Sequence, residues 1–452
     1  MENSHFESLY PDTSRFSEVE KILGFVKNGN SCQLIGLPGV GRSNLLGLLS
    51  FNRDVRLKHL GENQKWFHFV LLNFSQIRKK PLPDATKFIF LSLVDSLRER
   101  KMDKEYETVN KIFKETLDAS DELVLFQGLK RAIDFVCIEK ELTVVFLFDR
   151  FEEYIPMLSN EFFANLRILR NRAKYRFSVV FSLNRPLEDL VEPMLFADFY
   201  EFLADHIIYL PLLDKPGLDF RISYLEKVSG KHIDKKIIEE VIILTGGHGK
   251  LTRLCLETIL ATSSHREARS RSAGQLATNE KLREILLTQK SIRGSLFEIW
   301  ASLLPEEQKS LVADPLMASS YLINIGLVKD EKITIPLFMD FISTLLRQDF
   351  GRTQQIIYDE EKNEIKRGNV VLSDILTSSE FRLLKYLLEN KDKIMEREEI
   401  IKAVWQETKS TEGVTDQALD QLIFRLRKKI EEDPNNPKYL QTVKGRGLRF
   451  TP

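Results

Sequence analysis

Residues 36–43 read GLPGVGRS. Closely spaced glycines let a chain fold back on itself so that successive N–H groups point inward. With the N-terminus of a following helix they make a cradle for phosphate oxygens. The spacing G-x-x-x-x-G-K-[ST] is met at Gly36, Gly41 and Ser43, with Arg42 where lysine is usual. Gly39 and Pro38 complete the loop, Asn44 follows it, and the Ser43 hydroxyl is of the type that ligates Mg²⁺. The other reading of such a stretch is a glycine-rich turn without a ligand. Further along, LTVVFLFDRFEE places Asp149 at the end of an apolar run, where a carboxylate reaches a Mg²⁺-bound water. Glu152 and Glu153 follow within a turn, and either is a candidate to polarise an attacking water; acidic residues at a strand end also serve as an ordinary solvated helix start.

A second set of residues suits DNA. In VTDQALDQLIFRLRKKIEE (414–432), Leu419, Leu422, Ile423, Leu426 and Ile430 form an apolar stripe at helical spacing. Arg425, Lys428 and Lys429 lie off it and Arg427 at its edge. YLQTVKGRGLRF (439–450) reads as a hairpin with Gly445 and Gly447 at the turn and Lys444 and Arg446 at the tip. A basic helix beside a basic hairpin is how a winged helix engages both grooves. Solvated helix charge is the alternative.

The elements that must position these groups follow from hydrophobic patterning. QLIG precedes the glycine loop as a short strand, and SNLLGLLSF follows it as a helix. Apolar runs at 66–74, 142–149, 177–184 and 206–212 alternate with amphipathic stretches at 84–100, 122–140 and 159–174. Buried strands alternating with helices predict a parallel sheet covered on both faces. Strands stop near residue 213; 216–262 reads as helical and 263–274 as a solvated linker. Residues 291–345 suit a small winged helix. The tail restarts with short strands, then LTSSEFRLLKYLL (376–388), with Glu380 and Arg382 expected on its exposed side.

With 452 residues, several domains are expected: 1–213, 214–290, 291–350 and 354–452. Lys+Arg and Asp+Glu are equal at 66 each, so any nucleic-acid surface must be local. Cys32, Cys137 and Cys255 lack metal spacing and read as reduced core thiols. Neither a secretion signal nor an apolar run of membrane-spanning length is evident. A cytoplasmic protein without membrane contact is expected.

On these motifs, residues 10–262 resemble a STAND-type NTPase, an AAA+-related signalling class with a helical lid. SRFSEVEKIL (14–23) is similar to the segment that lines the adenine pocket there, with Arg15 and Glu18 matching. FSLNR (181–185) resembles the sensor strand, which puts Asn184 or Arg185 near a γ-phosphate. TGGHGKLTRL (245–254) resembles the lid motif, with His248 matching and Gly249 replacing proline. The resemblance implies ATP or ADP with Mg²⁺ and a nucleotide-dependent homo-oligomer, to which Arg167, Arg170 and Arg172 could supply a trans arginine. Arg42 and Arg150 depart from the class, the latter replacing an acidic neighbour of the magnesium aspartate. Guanidinium keeps the charge of lysine but is planar and longer, so binding should survive while turnover is slow or absent.

Residues 354–452 resemble the OmpR/PhoB-type winged-helix domain, through L-T-x-x-E-F-x-L-L, R-E-E at 397–399, V-W at 404–405, R-L-R-K-K and T-V-K-G-R-G. By position, Arg425 is expected to read bases, Arg427 to hold a phosphate, and Thr442 and Lys444 to meet the backbone or minor groove. Gln417, Leu422 and Phe424 replace contact residues common in that family. The expected fold is therefore multidomain α/β plus α: a P-loop sheet with helical lid, a middle winged helix and an OmpR-type winged helix. The expected function is a nucleotide-regulated transcriptional regulator acting on double-stranded DNA, with RNA polymerase as a further partner. Rival readings are a DNA-stimulated ATPase in replication, transposition or phage defence, and a pseudo-NTPase scaffold.

Overall fold

The computed structural model describes residues 5–117, 122–267, 279–313, 319–349, 356–360, 362–367, 370–405, 416–431, 433–443 and 445–451. They group into two compact units. The first comprises Met1–Ile242, Gly246–Arg253 and Ser320–Leu327; the second comprises Ile243–Thr245, Leu254–Ser319 and Val328–Pro452.

The first unit is built on a five-stranded sheet in the order β2-β3-β4-β1-β5. Its strands are β1 (Cys32–Ile35), β2 (Phe67–Asn73), β3 (Thr143–Asp149), β4 (Phe177–Leu183) and β5 (Ile207–Tyr209). All neighbours pair parallel. β1 and β4 are buried along their whole length, as expected of central strands with helices on both faces. Helices α1 (Phe16–Lys27) and α2 (Arg42–Phe51) flank β1 in the chain. Under the sheet lies an aromatic core in which Phe148, Phe151, Phe163 and Phe181 are fully buried.

Parallel register decides where the chemistry falls. Asn73 pairs with Asp149 and Ile35 with Leu183, so the C-terminal strand ends bring Asp149, Asn184 and Gly36 to one edge. β1 has neighbours on both sides that come later in the chain. Such a switch point at the carboxyl ends of parallel strands is where open α/β sheets bind ligands. Beyond β5 come α3 (Lys215–Ser229), α4 (Lys235–Thr245) and α5 (Gly249–Glu267). The stretch read as a linker from 263 is still helical to Glu267, and 268–274 lie outside the described residues. A short helix, α6 (Ser320–Asn324), also belongs to the first unit.

In the second unit a two-stranded hairpin, β6 (Val328–Lys329) and β7 (Lys332–Ile333), is followed by an antiparallel sheet of β8 (Ile356–Asp359), β9 (Glu364–Arg367) and β10 (Val370–Val371). Then come α7 (Ser378–Glu389), β11 (Ile394–Met395), α8 (Arg397–Val404), α9 (Asp416–Ile430), β12 (Leu440–Val443) and β13 (Gly447–Phe450). The last three strands form a sheet in the order β11-β13-β12. Leu383, Leu387, Ile400, Leu419, Ile423, Leu426, Leu448 and Phe450 share one core. At Gly447, φ is 127° and an added Cβ would lie 2.0 Å from the Met395 carbonyl oxygen, so only glycine lets the hairpin close onto β11.

The expected exposure of Glu380 and Arg382 is corrected. Glu380 is buried, 1% exposed, because it closes a capping box with Thr377 and pairs with Lys429 at 2.6 Å. Arg382, expected beside it on the exposed side, is only partly exposed. Leu422, read as part of the apolar stripe, is a core residue as expected.

Candidate nucleotide site and nucleic-acid interface

Gly41 caps α2, and the loop before it is held from outside by its carbonyls. The Val40 carbonyl accepts from Arg15 Nη2 at 3.0 Å, the Pro38 carbonyl from His248 Nε2 at 2.9 Å, and the Gly39 carbonyl from the Lys250 N–H at 3.1 Å. The N–H groups of Gly39, Gly41, Arg42 and Ser43 have no acceptor among the described residues. Carbonyls satisfied and amides left over make a preformed anion nest at a helix N-terminus. Gly39 has φ 81°, and a Cβ there would come within 2.9 Å of His248 Cε1, so the close approach of α5 needs a glycine.

Around the nest the charges are arranged in pairs. Ser43 Oγ donates to Asp149 Oδ1 at 2.9 Å. Two neighbouring oxygens on an octahedral Mg²⁺ at about 2.1 Å would stand about 3 Å apart, so this pair fits as two metal ligands. Burial raises the Asp149 pKa above the usual carboxylate value, with Ser43, Arg42 and Arg150 opposing. Arg42 Nη2 binds Glu152 Oε1 at 2.7 Å, and these side chains are 11% and 18% exposed. Arg42 Nη1 and Glu152 Oε2 are buried without partners among the described residues. A phosphate oxygen would satisfy the first and a water the second, so the residues present fit a Mg²⁺-bound nucleotide. When bound, the metal would neutralise phosphate charge, and the nest amides and Arg42 are the groups that would hold the phosphates.

Other expected residues are placed differently. Glu153 pairs with Arg78 at 3.1 Å and Arg150 at 3.4 Å, not with Arg42. Arg15 is buried and clasps the loop to the end of β5: Nη1 donates to the Pro211 carbonyl at 2.7 Å and its backbone N–H to Asp214 at 3.2 Å. His248 is fully buried and neutral, its pKa lowered to about 4 by burial. Its Nδ1 accepts the Leu251 N–H at 3.3 Å, which makes it a strut between lid and loop. Asn184 follows β4 beside Gly36 with a buried Oδ1 that has no partner among the described residues, while its carbonyl accepts from the Tyr321 hydroxyl at 2.7 Å. Arg185 pairs with Asp189 and stacks 4.0 Å from the centre of the Tyr321 ring. The three arginines weighed as trans donors are engaged: Arg167 with Asp198, Arg170 with the Gly29 carbonyl, and Arg172 with Asp134.

Beside the nest, Tyr10, Val40, Leu45, Leu48, Leu212 and Leu218 line a partly apolar cleft. Asn44 Nδ2 and Arg221 both donate to the Tyr10 hydroxyl, the former at 2.8 Å. Of these, the sequence reading named Asn44 but not Tyr10, Asp214 or Arg221. Asp214 precedes Lys-Pro at the start of α3, a helix-start signal that would have flagged it; Arg221 carries no such mark.

In the second unit, α9 presents Arg425 and Lys428 exposed, and Thr442 and Arg446 are exposed on the terminal hairpin. Lys444 lies outside the described residues. Arg427 is turned inward: its guanidinium donates to the Leu440 carbonyl at 2.7 Å and to Thr442 Oγ1 at 2.9 Å, binding helix to wing. Lys429 is held by Glu380 and the Ile375 carbonyl.

Residues 374–450 match the family model described as "Transcriptional regulatory protein, C terminal". The chain is 34% identical over 97 residues to protein PetR of Rhodobacter capsulatus, covering 21% of this chain and 40% of that one. It is 32% identical over 132 residues to the transcriptional regulatory protein KdpE of Mycobacterium tuberculosis, covering 27% and 57%. The chain thus spans about two fifths to three fifths of these relatives. Among solved structures it is similar to the Aeropyrum pernix ORC1 protein in complex with DNA, with TM-score 0.40, 11% identity, and coverage of 78% and 89%. It is also similar to Cdc6p from Pyrobaculum aerophilum, with TM-score 0.38, 13% identity, and coverage of 79% and 90%. No helix among the described residues is long and apolar enough to cross a membrane. The first unit thus joins a parallel five-stranded sheet to a glycine loop of P-loop spacing after β1, and residues 374–450 are a winged-helix DNA-binding domain of the OmpR/PhoB type.

Proposed function

We propose that this chain is a transcriptional regulator in which ATP or ADP, held with Mg²⁺ on the first unit, sets the affinity of the C-terminal winged helix for double-stranded DNA. The observation that supports it most is the site at the end of β1. There, loop amides without acceptors, the Ser43–Asp149 pair and the unpartnered Arg42 Nη1 converge on a space suited to a polyphosphate. Hydrolysis is slow or absent on this reading, because Arg42 holds the Glu152 carboxylate and Arg78 and Arg150 hold that of Glu153. A second copy of the chain and RNA polymerase are the downstream partners.

Nucleotide state acts only if it favours one of two conformations over the other. His248 and Lys250 give a route, since both bond to the loop that would close on phosphate. The test is genome-wide mapping of bound sites followed by duplex titration of the full chain with ATP, with ADP and without nucleotide. Affinities that differ between these states support the reading; identical affinities in all three would end it. Turnover of several ATP per second would remove the slow-hydrolysis part.

A further inference from the structure

The outward face of α9 carries more than charge. At 100° per residue, Gln417, Gln421, Phe424, Arg425 and Lys428 fall opposite the buried Leu419, Ile423, Leu426 and Ile430. Phe424 is 45% exposed, a large aromatic among polar and basic groups and outside the core that the described residues form. Lys428 Nζ lies over this ring, 4.7 Å from its centre, so a cation rests on one face of the exposed aromatic. The acidic groups nearest this face, Asp416 and Asp420, are both held by Arg397, at 2.9 and 2.6 Å, which offsets their repulsion of a polyanion.

We propose that Phe424 is a specificity-determining residue that packs on the C5-methyl group of a thymine in the major groove. This rests on the reading that the C-terminal domain binds duplex DNA through α9. The major-groove edges of the bases offer one apolar feature, the thymine methyl, and aromatic side chains are among those that contact it. Arg425, one residue along on the same face, can pair with a guanine edge, and Lys428 can meet a phosphate. The recognised element is thus a thymine next to a guanine-containing step.

The full chain is used to select duplexes from a random library. Each thymine of the selected site is then replaced in turn by deoxyuridine, which removes only the methyl. For the unaltered chain, one replacement should weaken binding about three- to fivefold, as expected when one methyl is withdrawn from apolar contact. For Phe424→Ala the same replacement should change affinity by less than about 1.5-fold, and Phe424→Leu should retain part of the sensitivity. Phe424 is exposed, so both variants should keep the thermal unfolding of the parent. If every deoxyuridine position affects the parent and Phe424→Ala equally, the assignment of Phe424 is wrong and the DNA-binding reading stands. If no duplex is bound or enriched, both fall together.

Discussion

Replacing Glu152 by Gln should make this protein bind nucleotide more tightly. A phosphate oxygen approaching Arg42 meets a guanidinium whose Nη2 already donates to Glu152 at 2.7 Å, with the two side chains 11% and 18% exposed. A charge-assisted hydrogen bond of this kind contributes about 1.5–3 kcal/mol. Its carboxylate also repels the incoming phosphates. Residual solvent access at both side chains discounts the sum. A gain of about 1.4–2 kcal/mol, or roughly ten- to thirtyfold in Kd, is expected for Mg-ATP.

The gain must come through Arg42. In an Arg42→Ala background the same Glu152→Gln change should give less than about threefold, a coupling that a double-mutant cycle isolates. Titration calorimetry or a fluorescent ATP analogue reads all four affinities. If Glu152→Gln tightened binding equally with and without Arg42, general charge removal would explain it and the competition between carboxylate and phosphate would be refuted.

His248 gives a pH prediction. Burial first, then Lys250 and Arg15, lower its pKa to about 4, against the raising effect of the Pro38 carbonyl. The unfolded chain takes up a proton near 6.5 and the folded one does not, so stability contributed by this site is full above 6.5 and lost as pH falls toward 4. Between pH 7 and 5 the parent should lose about 2 kcal/mol more than His248→Gln in urea unfolding; equal losses would place the acid sensitivity elsewhere. Gly447→Ala, with φ 127° and a carbonyl 2.0 Å from the new Cβ, should destabilise the C-terminal domain by at least about 2 kcal/mol in thermal unfolding. Arg425→Ala should reduce discrimination at one base pair by about 1–3 kcal/mol in competition binding. Arg446→Ala should instead weaken all sequences alike and lower the salt slope by about 1.

The sheet and the loop were legible because they rest on local patterns. All five strands of the first unit coincide with apolar runs read from the chain, and α2 begins at Arg42 as the glycine spacing requires. Side-chain direction was less legible. Glu380 looks like a surface residue of an amphipathic helix, yet a capping box three residues from Thr377 turns it inward to Lys429. Arg427 sits at the edge of the stripe in α9, and the Leu440 carbonyl, distant in sequence, decides that it braces the wing. The same holds for Arg42 and Glu152, 110 positions apart: motif spacing identifies each and is silent on their pairing.

That pairing also bounds how the switch proposed for the first unit would work. The lid reaches the phosphate loop through the His248 ring to the Pro38 carbonyl and the Lys250 N–H to the Gly39 carbonyl. Each neutral hydrogen bond contributes about 1 kcal/mol net, so gaining or losing both biases two lid positions by about thirtyfold. Carrying an equilibrium from almost wholly one state to almost wholly the other takes about 5.5 kcal/mol. The lid contacts alone therefore give a graded response. A complete one must also recruit charged contacts that the nucleotide disturbs directly, of which Arg42–Glu152 is the strongest candidate and the stacking of Arg185 on Tyr321 the next. Charged pairs are the contacts most sensitive to an arriving polyphosphate, whereas neutral bonds to carbonyls are indifferent to its charge. On this arithmetic, Arg42→Lys should shift the nucleotide dependence of DNA binding more than loss of the His248 hydrogen bond does.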